Sequence, residues 1–200
     1  MTAADLKTTL DATVARWDLL KHPFYQSWGA GTLPTAALSS YAREYGAFIN
    51  LLPAGWETQQ DAETADEERE HAELWDHFAA ALGTAVGTPA LKETTALCGT
   101  ARSMFAEPAS AMGALYAFER QQPPTATSKL DGLRKHYALG AAAETYFEKH
   151  TANHHEAAKL LDRIQALDAA GQALAVAACD QMGQALWNAL SGIHAGTGCM

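Results

Sequence analysis

Valine occurs in this chain only as Val14, Val86 and Val176, and isoleucine only as Ile49, Ile164 and Ile193. Strands draw on such β-branched residues, so a chain this poor in them has little from which to build a sheet. Alanine and leucine, which lose little freedom in a helix, are abundant. The chain therefore reads as all-α. Apolar periodicity places helices over 3–20, 34–57, 60–83, 88–105, 108–121, 123–139, 141–166 and 168–193. The breaks fall at "HPFYQSWGAGTLP", "GTAVGTP", "AEPAS" and "QQPP", where glycine and proline interrupt the pattern. Pro34 suits a first helical turn with Thr32 as a nearby cap, and Pro53 is expected to kink the second helix. The expected architecture is one bundle of seven to eight helices, a single domain over residues 1–200 with 194–200 as a loose tail.

Of 200 residues, 48% are hydrophobic, enough for a packed core. Acidic residues number 23 and basic ones 14, a net charge of -9 that argues against nucleic acid or an anionic membrane surface as partner. No apolar run reaches the roughly 20 residues that a membrane span requires. The amphipathic start "MTAADLKTTLDATVARWDLL" lacks the basic and apolar regions of a secretion signal, and the expected location is cytoplasmic. Cys98, Cys179 and Cys199 are odd in number and widely spaced, which suggests neither a disulfide framework nor a zinc knuckle.

Eight histidines are present, and three of them, His150, His154 and His155, crowd into "YFEKHTANHHEAAKLL". On a continuous helix His150 and His154 lie one turn apart on the apolar side, a spacing that offers two imidazoles to one metal ion, while His155 points elsewhere, toward solvent. In "ADEEREHAELWDHF", Glu67, Glu68 and His71 share a face with Leu74, Trp75 and Phe78, and Glu68 with His71 has the Glu-x-x-His spacing of di-iron bundles. Glu119 is a lone acid in the apolar helix of "ALYAFERQQPP"; a buried carboxylate must be paired, protonated or bound to a metal. Each feature also has a plainer reading: a solvated acidic helix, a polar histidine pair, and a Glu119 paired with Lys129. Three helices that each bring a carboxylate or imidazole to an apolar face favour a metal site in the bundle core.

The stretch "LLKHPFYQSWGAGTLPTAALSSYAREYGAFI" resembles the opening segment of the haem-oxygenase-like proteins, which include TenA, PqqC and di-iron oxidases. "HAELWDHFAAALG", "ALYAFERQQPPTATSKLDGL" and "YFEKH" resemble one branch of them, the CADD-like para-aminobenzoate synthases, and the resemblance spans residues 5–193. It implies a helical bundle that holds two metal ions, iron with iron or with manganese, and activates dioxygen. It further implies that a tyrosine of the protein is cut out and oxidised to para-aminobenzoate for folate synthesis, with a lysine supplying nitrogen. Carried over by motif, the tyrosine of "HPFYQSW" is Tyr25, that of "YAREYGAF" is Tyr45, and the lysine is Lys129; the metal ligands are Glu67 or Glu68, His71, Glu119 and His150. The sequence departs from the family in its last ligand helix, where the second metal falls to His154 or, after a one-residue deletion, to Glu156. Gly46 stands where a second aromatic is common.

Thiaminases of the TenA type need a mid-chain nucleophilic cysteine, which "AMGALYAFE" lacks, and PqqC-type oxidases work without metal. Two rivals remain: an oxidase of the same fold acting on a free amino acid or fatty acid, and a metal-poor scaffold without activity. The substrate is thus a small molecule or the protein's own side chain. The fold allows a homodimer. Imidazole and carboxylate ligands suit iron or manganese and leave positions open for dioxygen.

Overall fold

The computed structural model describes residues 2–152 and 155–196, and every regular element among them is helical. Helix α1 (Ala3–Arg16) opens on a capping box: Thr2 accepts from the Asp5 amide while the Asp5 carboxylate accepts from the Thr2 amide. It ends earlier than the sequence suggests, and a 3₁₀ turn (Leu19–Lys21), capped by Asp18, follows. Helix α2 (Pro23–Gly29) then forms where a break was expected. Pro23 sits in its first turn, where a missing N–H costs nothing, and the His22 ring accepts from the Phe24 amide.

Helix α3 (Thr35–Ile49) has Pro34 at its N-cap, just before the first turn, and the Thr32 hydroxyl donates to the Ser27 carbonyl rather than capping. Pro53 does not kink a continuous helix. The chain leaves α3 at Asn50 and restarts as α4 (Leu52–Thr58), with Pro53 in the opening turn. Helix α5 (Ala62–Ala81) is capped by Asp61; α6 (Lys92–Met104) and α7 (Pro108–Glu119) follow. Helix α8 (Gln122–Gly132) runs into a π turn (Leu133–Tyr137) that ends at left-handed Ala138 (φ 47°). The expected helix over 141–166 is two: α9 (Ala141–His150) and α10 (His155–Gln165). Helix α11 (Ala169–Gly196) runs through 194–196, expected to be loose; the rest of that tail, Cys199 included, lies outside the described residues.

Helix α7 occupies the middle, packed by α11, α10 and α4, and every residue from Gly113 to Glu119 is buried. Its approach to α11 depends on Gly113: a Cβ there would lie 1.9 Å from the Ala175 carbonyl oxygen. Helix α5 packs on α9 and α4, which brings its Glu68 and His71 to His150 at the end of α9 and within reach of the Glu119 charge at the end of α7. Gly46 makes room for Trp75, whose indole donates to the Ala42 carbonyl at 2.8 Å; a Cβ at 46 would lie 2.6 Å from that nitrogen. Among the described residues no helix is long and apolar enough to cross a membrane.

Candidate functional site

Where α5, α9, the end of α7 and the start of α10 converge, Glu68, His71 and His150 bring ligand atoms within 4.8 Å of one another, and all three side chains are buried. His71 Nδ1 lies 3.3 Å from Glu68 Oε1, and the His71 and His150 rings are 4.4 Å apart. His150 closes α9, and its Nδ1 donates to the Tyr146 carbonyl at 2.6 Å. A carbonyl only accepts, so the proton is on Nδ1 and Nε2 keeps its lone pair, the tautomer a metal ligand needs. Burial, and then the His71 ring, depress the His150 imidazolium to about 3, so the ring is neutral. Beside this group Glu67, His155 and Glu156 form a second cluster of the same span.

Glu119, the last residue of α7, completes the surround. Burial, then Glu68 and Glu156, hold its carboxyl well above the usual carboxylate range, against the Trp56 indole, which favours the charged form. Burial also raises Glu68 against the pull of His71, with Glu156 and Glu67 adding to the rise. Glu68 Oε2 and Glu119 Oε1 are buried without a hydrogen-bond partner, and among the described residues no lysine or arginine pairs with either side chain. Glu44 shows how the same fold satisfies a buried carboxylate: it accepts from the Ala90 and Leu91 amides and the Thr94 hydroxyl. Clustered carboxylates with orphaned oxygens, facing the imidazoles of His71 and His150, suit a divalent cation. The iron that the resemblance implies fits this donor set.

A second arrangement lies on the far side of Trp75. Tyr25 and Tyr41 share a hydroxyl–hydroxyl hydrogen bond of 2.8 Å, and Tyr45 stacks on Tyr41 with centroids 5.0 Å apart. The Lys129 amine points into this group, 4.9 Å from the Tyr25 ring centroid, 5.3 Å from that of Phe147 and 3.4 Å from the Tyr41 hydroxyl. The Trp28 indole donates to the Lys129 carbonyl at 3.1 Å and fixes the backbone there. Among the described residues no carboxylate lies within ion-pair reach of the amine, and burial lowers its ammonium to about 7. Burial raises the phenols of Tyr25, Tyr41 and Tyr45. The Tyr146 ring spans the two arrangements, 4.2 Å from His150 and 4.8 Å from Trp75, with Gln122 donating to its hydroxyl.

The structure thus brings Glu67, Glu68, His71, Glu119, His150 and Glu156 together, and Tyr25, Tyr45 and Lys129 together nearby. Lys129 faces tyrosines rather than Glu119. His154 lies outside the described residues; among the described ones, the helix expected over 141–166 is divided, with α9 ending at His150 and α10 starting at His155. His155 is exposed, as expected, yet belongs to the second cluster. Sequence reasoning did not single out Tyr41 or Tyr146, and it set His155 aside as a solvent-facing residue. Tyr41 precedes Tyr45, and Tyr146 precedes His150, by one helical turn, so a search of shared faces had the signal for both.

A family model described as iron-containing redox enzyme matches residues 54–188. A Nitrosomonas europaea protein named 4-aminobenzoate synthase is 32% identical over 230 aligned positions, covering 97% of this chain and 93% of that one. A Shewanella denitrificans protein with a heme oxygenase-like fold superposes with a TM-score of 0.76 at 14% identity, over 98% of this chain and 93% of that one. A CADD-like protein of unknown function from Nostoc punctiforme gives 0.73 at 18% identity, over 98% of both. At these identities the two structures speak for the fold alone.

Proposed function

This chain belongs to the iron-containing redox enzymes, and on that premise we propose that it makes 4-aminobenzoate, with dioxygen as oxidant, from its own Tyr25 and the nitrogen of Lys129. The observation that carries the reading is the buried Lys129 amine, unpaired with any described carboxylate and 4.9 Å from the Tyr25 ring. The product carries nitrogen where tyrosine carries its hydroxyl, and a carboxylate where tyrosine carries Cβ. Forming it requires oxidation at Cβ, scission of the bond to Cα, and exchange of a carbon–oxygen for a carbon–nitrogen bond. An ammonium cannot deliver the nitrogen; a neutral amine can, and burial supplies it near neutral pH.

Iron, alone or with manganese, held among Glu67, Glu68, His71, Glu119, His150 and Glu156, would supply the oxidising power drawn from dioxygen. Four carboxylates balance two divalent ions, whereas a single ion leaves buried negative charge uncompensated, so the reading is a dinuclear centre. The chain's own part is placement and exclusion. Tyr41 fixes the Tyr25 hydroxyl at 2.8 Å, Trp28 anchors Lys129, and Trp75 and Phe147 keep bulk water from the rings.

The test is direct. Iron-loaded, reduced protein is exposed to oxygen and followed by intact mass, peptide mapping and product analysis. Loss of the side chain at position 25, with product capped near one per chain and abolished in Tyr25→Phe, is the expected result. An intact Tyr25 after many turnovers, or product from the Phe variant, overturns the reading and points to a free small-molecule substrate. Loss at position 41 instead favours a second reading, in which Tyr41, whose hydroxyl the amine approaches to 3.4 Å, is the ring consumed.

A further inference from the structure

His155 opens α10 with its side chain 65% exposed, beside Glu156, whose side chain is 1% exposed. Such a histidine is ordinarily a solvated surface group. Here its Nε2 lies 3.2 Å from Glu156 Oε1, and ligand atoms of Glu67, His155 and Glu156 all fall within 4.8 Å of one another, a spread one divalent ion can draw together. The cluster adjoins two buried oxygens with no hydrogen-bond partner, Glu68 Oε2 and Glu119 Oε1, on side chains that both sense the Glu156 charge. The inner imidazoles, His71 and His150, are grouped with Glu68, so the outer carboxylates have His155 as their described nitrogen donor.

We propose that His155 is a ligand of the second metal ion, completing an outer half-site with Glu67 and Glu156 at the solvent edge of the centre. This rests on the dinuclear reading above. The divided helix is what permits it: a continuous helix through His150 would turn His155 away from the site, whereas the restart at residue 155 sets a new phase for α10.

Metal-free protein titrated anaerobically with Co(II), with bound metal measured by equilibrium dialysis and visible absorption, tests the assignment. Wild type should take up about two ions per chain. His155→Ala should keep about one and bind the other about tenfold or more weakly, without loss of helical circular dichroism, because the side chain is exposed. His155→Asp, which retains a ligand atom, should recover the second ion. Two ions at wild-type affinity in His155→Ala, or loss of the second ion in His154→Ala but not in His155→Ala, overturns the assignment and leaves the metal centre standing. Wild type that binds less than about a tenth of an ion overturns the metal centre itself.

Discussion

A lysine with no carboxylate beside it is costly to bury as an ammonium, and Lys129 is such a residue. Burial lowers its value from the usual 10.5 to about 7, so between those values the unfolded chain holds a proton that the folded chain has released. Its contribution to stability therefore rises with pH across that window, by at most about 1.4 kcal/mol per pH unit, and is level below it. Denaturant midpoints of metal-free wild type and Lys129→Met should differ most at and below about pH 7, with the Met variant the more stable, and the gap should narrow steadily as pH rises toward 10.5. A gap that does not change with pH would show that the amine is solvated. Product formation should rise through about pH 7 as the neutral amine appears, and Lys129→Arg, which stays charged, should form none.

Helix α10 is tied to the start of α5 through Asp61 and Thr64, whose hydroxyl accepts from Lys159 at 2.8 Å. Asp61 caps α5 at the Thr64 amide and also accepts from Lys159 at 3.0 Å and Arg163 at 2.7 Å on α10. Since α10 carries His155 and Glu156, this tie positions one wall of the candidate metal centre from a distance. Asp61→Asn keeps the cap and removes the charge; Asp61→Ala removes both. We expect Asn to cost about 1–2 kcal/mol in chemical denaturation and Ala about 1 kcal/mol more, with both variants weakening metal uptake. Equal costs would assign the whole effect to the ion pairs. The α7–α11 contact offers a second test, because a methyl at position 113 has no space against the Ala175 carbonyl. Gly113→Ala should cost about 2–3 kcal/mol despite alanine's better helix propensity, and wild-type stability in that variant would mean that the helices separate freely.

Across the whole molecule, the centre trades stability for binding. Glu68 and Glu119 are buried with orphaned oxygens, and burial, with neighbouring carboxylates adding to it, holds both above the usual carboxylate range. A metal-free fold carries that cost, and a bound divalent ion removes it. Glu119→Gln should therefore raise the melting temperature of the metal-free protein, by about 2–4 °C per kcal/mol gained, and lower the further rise that iron produces in wild type. Thermal scans of both proteins with and without metal separate the two effects. A Gln variant less stable in both states would mean that Glu119 is satisfied by the protein alone.

The helical character follows from the sequence by itself: valine and isoleucine are scarce, and alanine and leucine supply helix throughout. So does the suspicion attached to Glu119, an acid in an apolar stretch, and to Glu68 with His71, three residues apart. These are legible because helix geometry ties residues within one turn to a common face, whatever else the chain does. The break between α9 and α10 was not legible. "TANHHE" holds neither proline nor glycine, so nothing in the sequence marks the end of one helix at His150 and the start of another at His155. Nor could the sequence show that Lys129 meets Tyr25, 104 positions earlier, and leaves Glu119 unpaired. Local rules reach about four residues along the chain. Which buried polar groups face one another depends on how the helices pack, and packing decided that the amine sits among phenols while the carboxylates gather around the imidazoles.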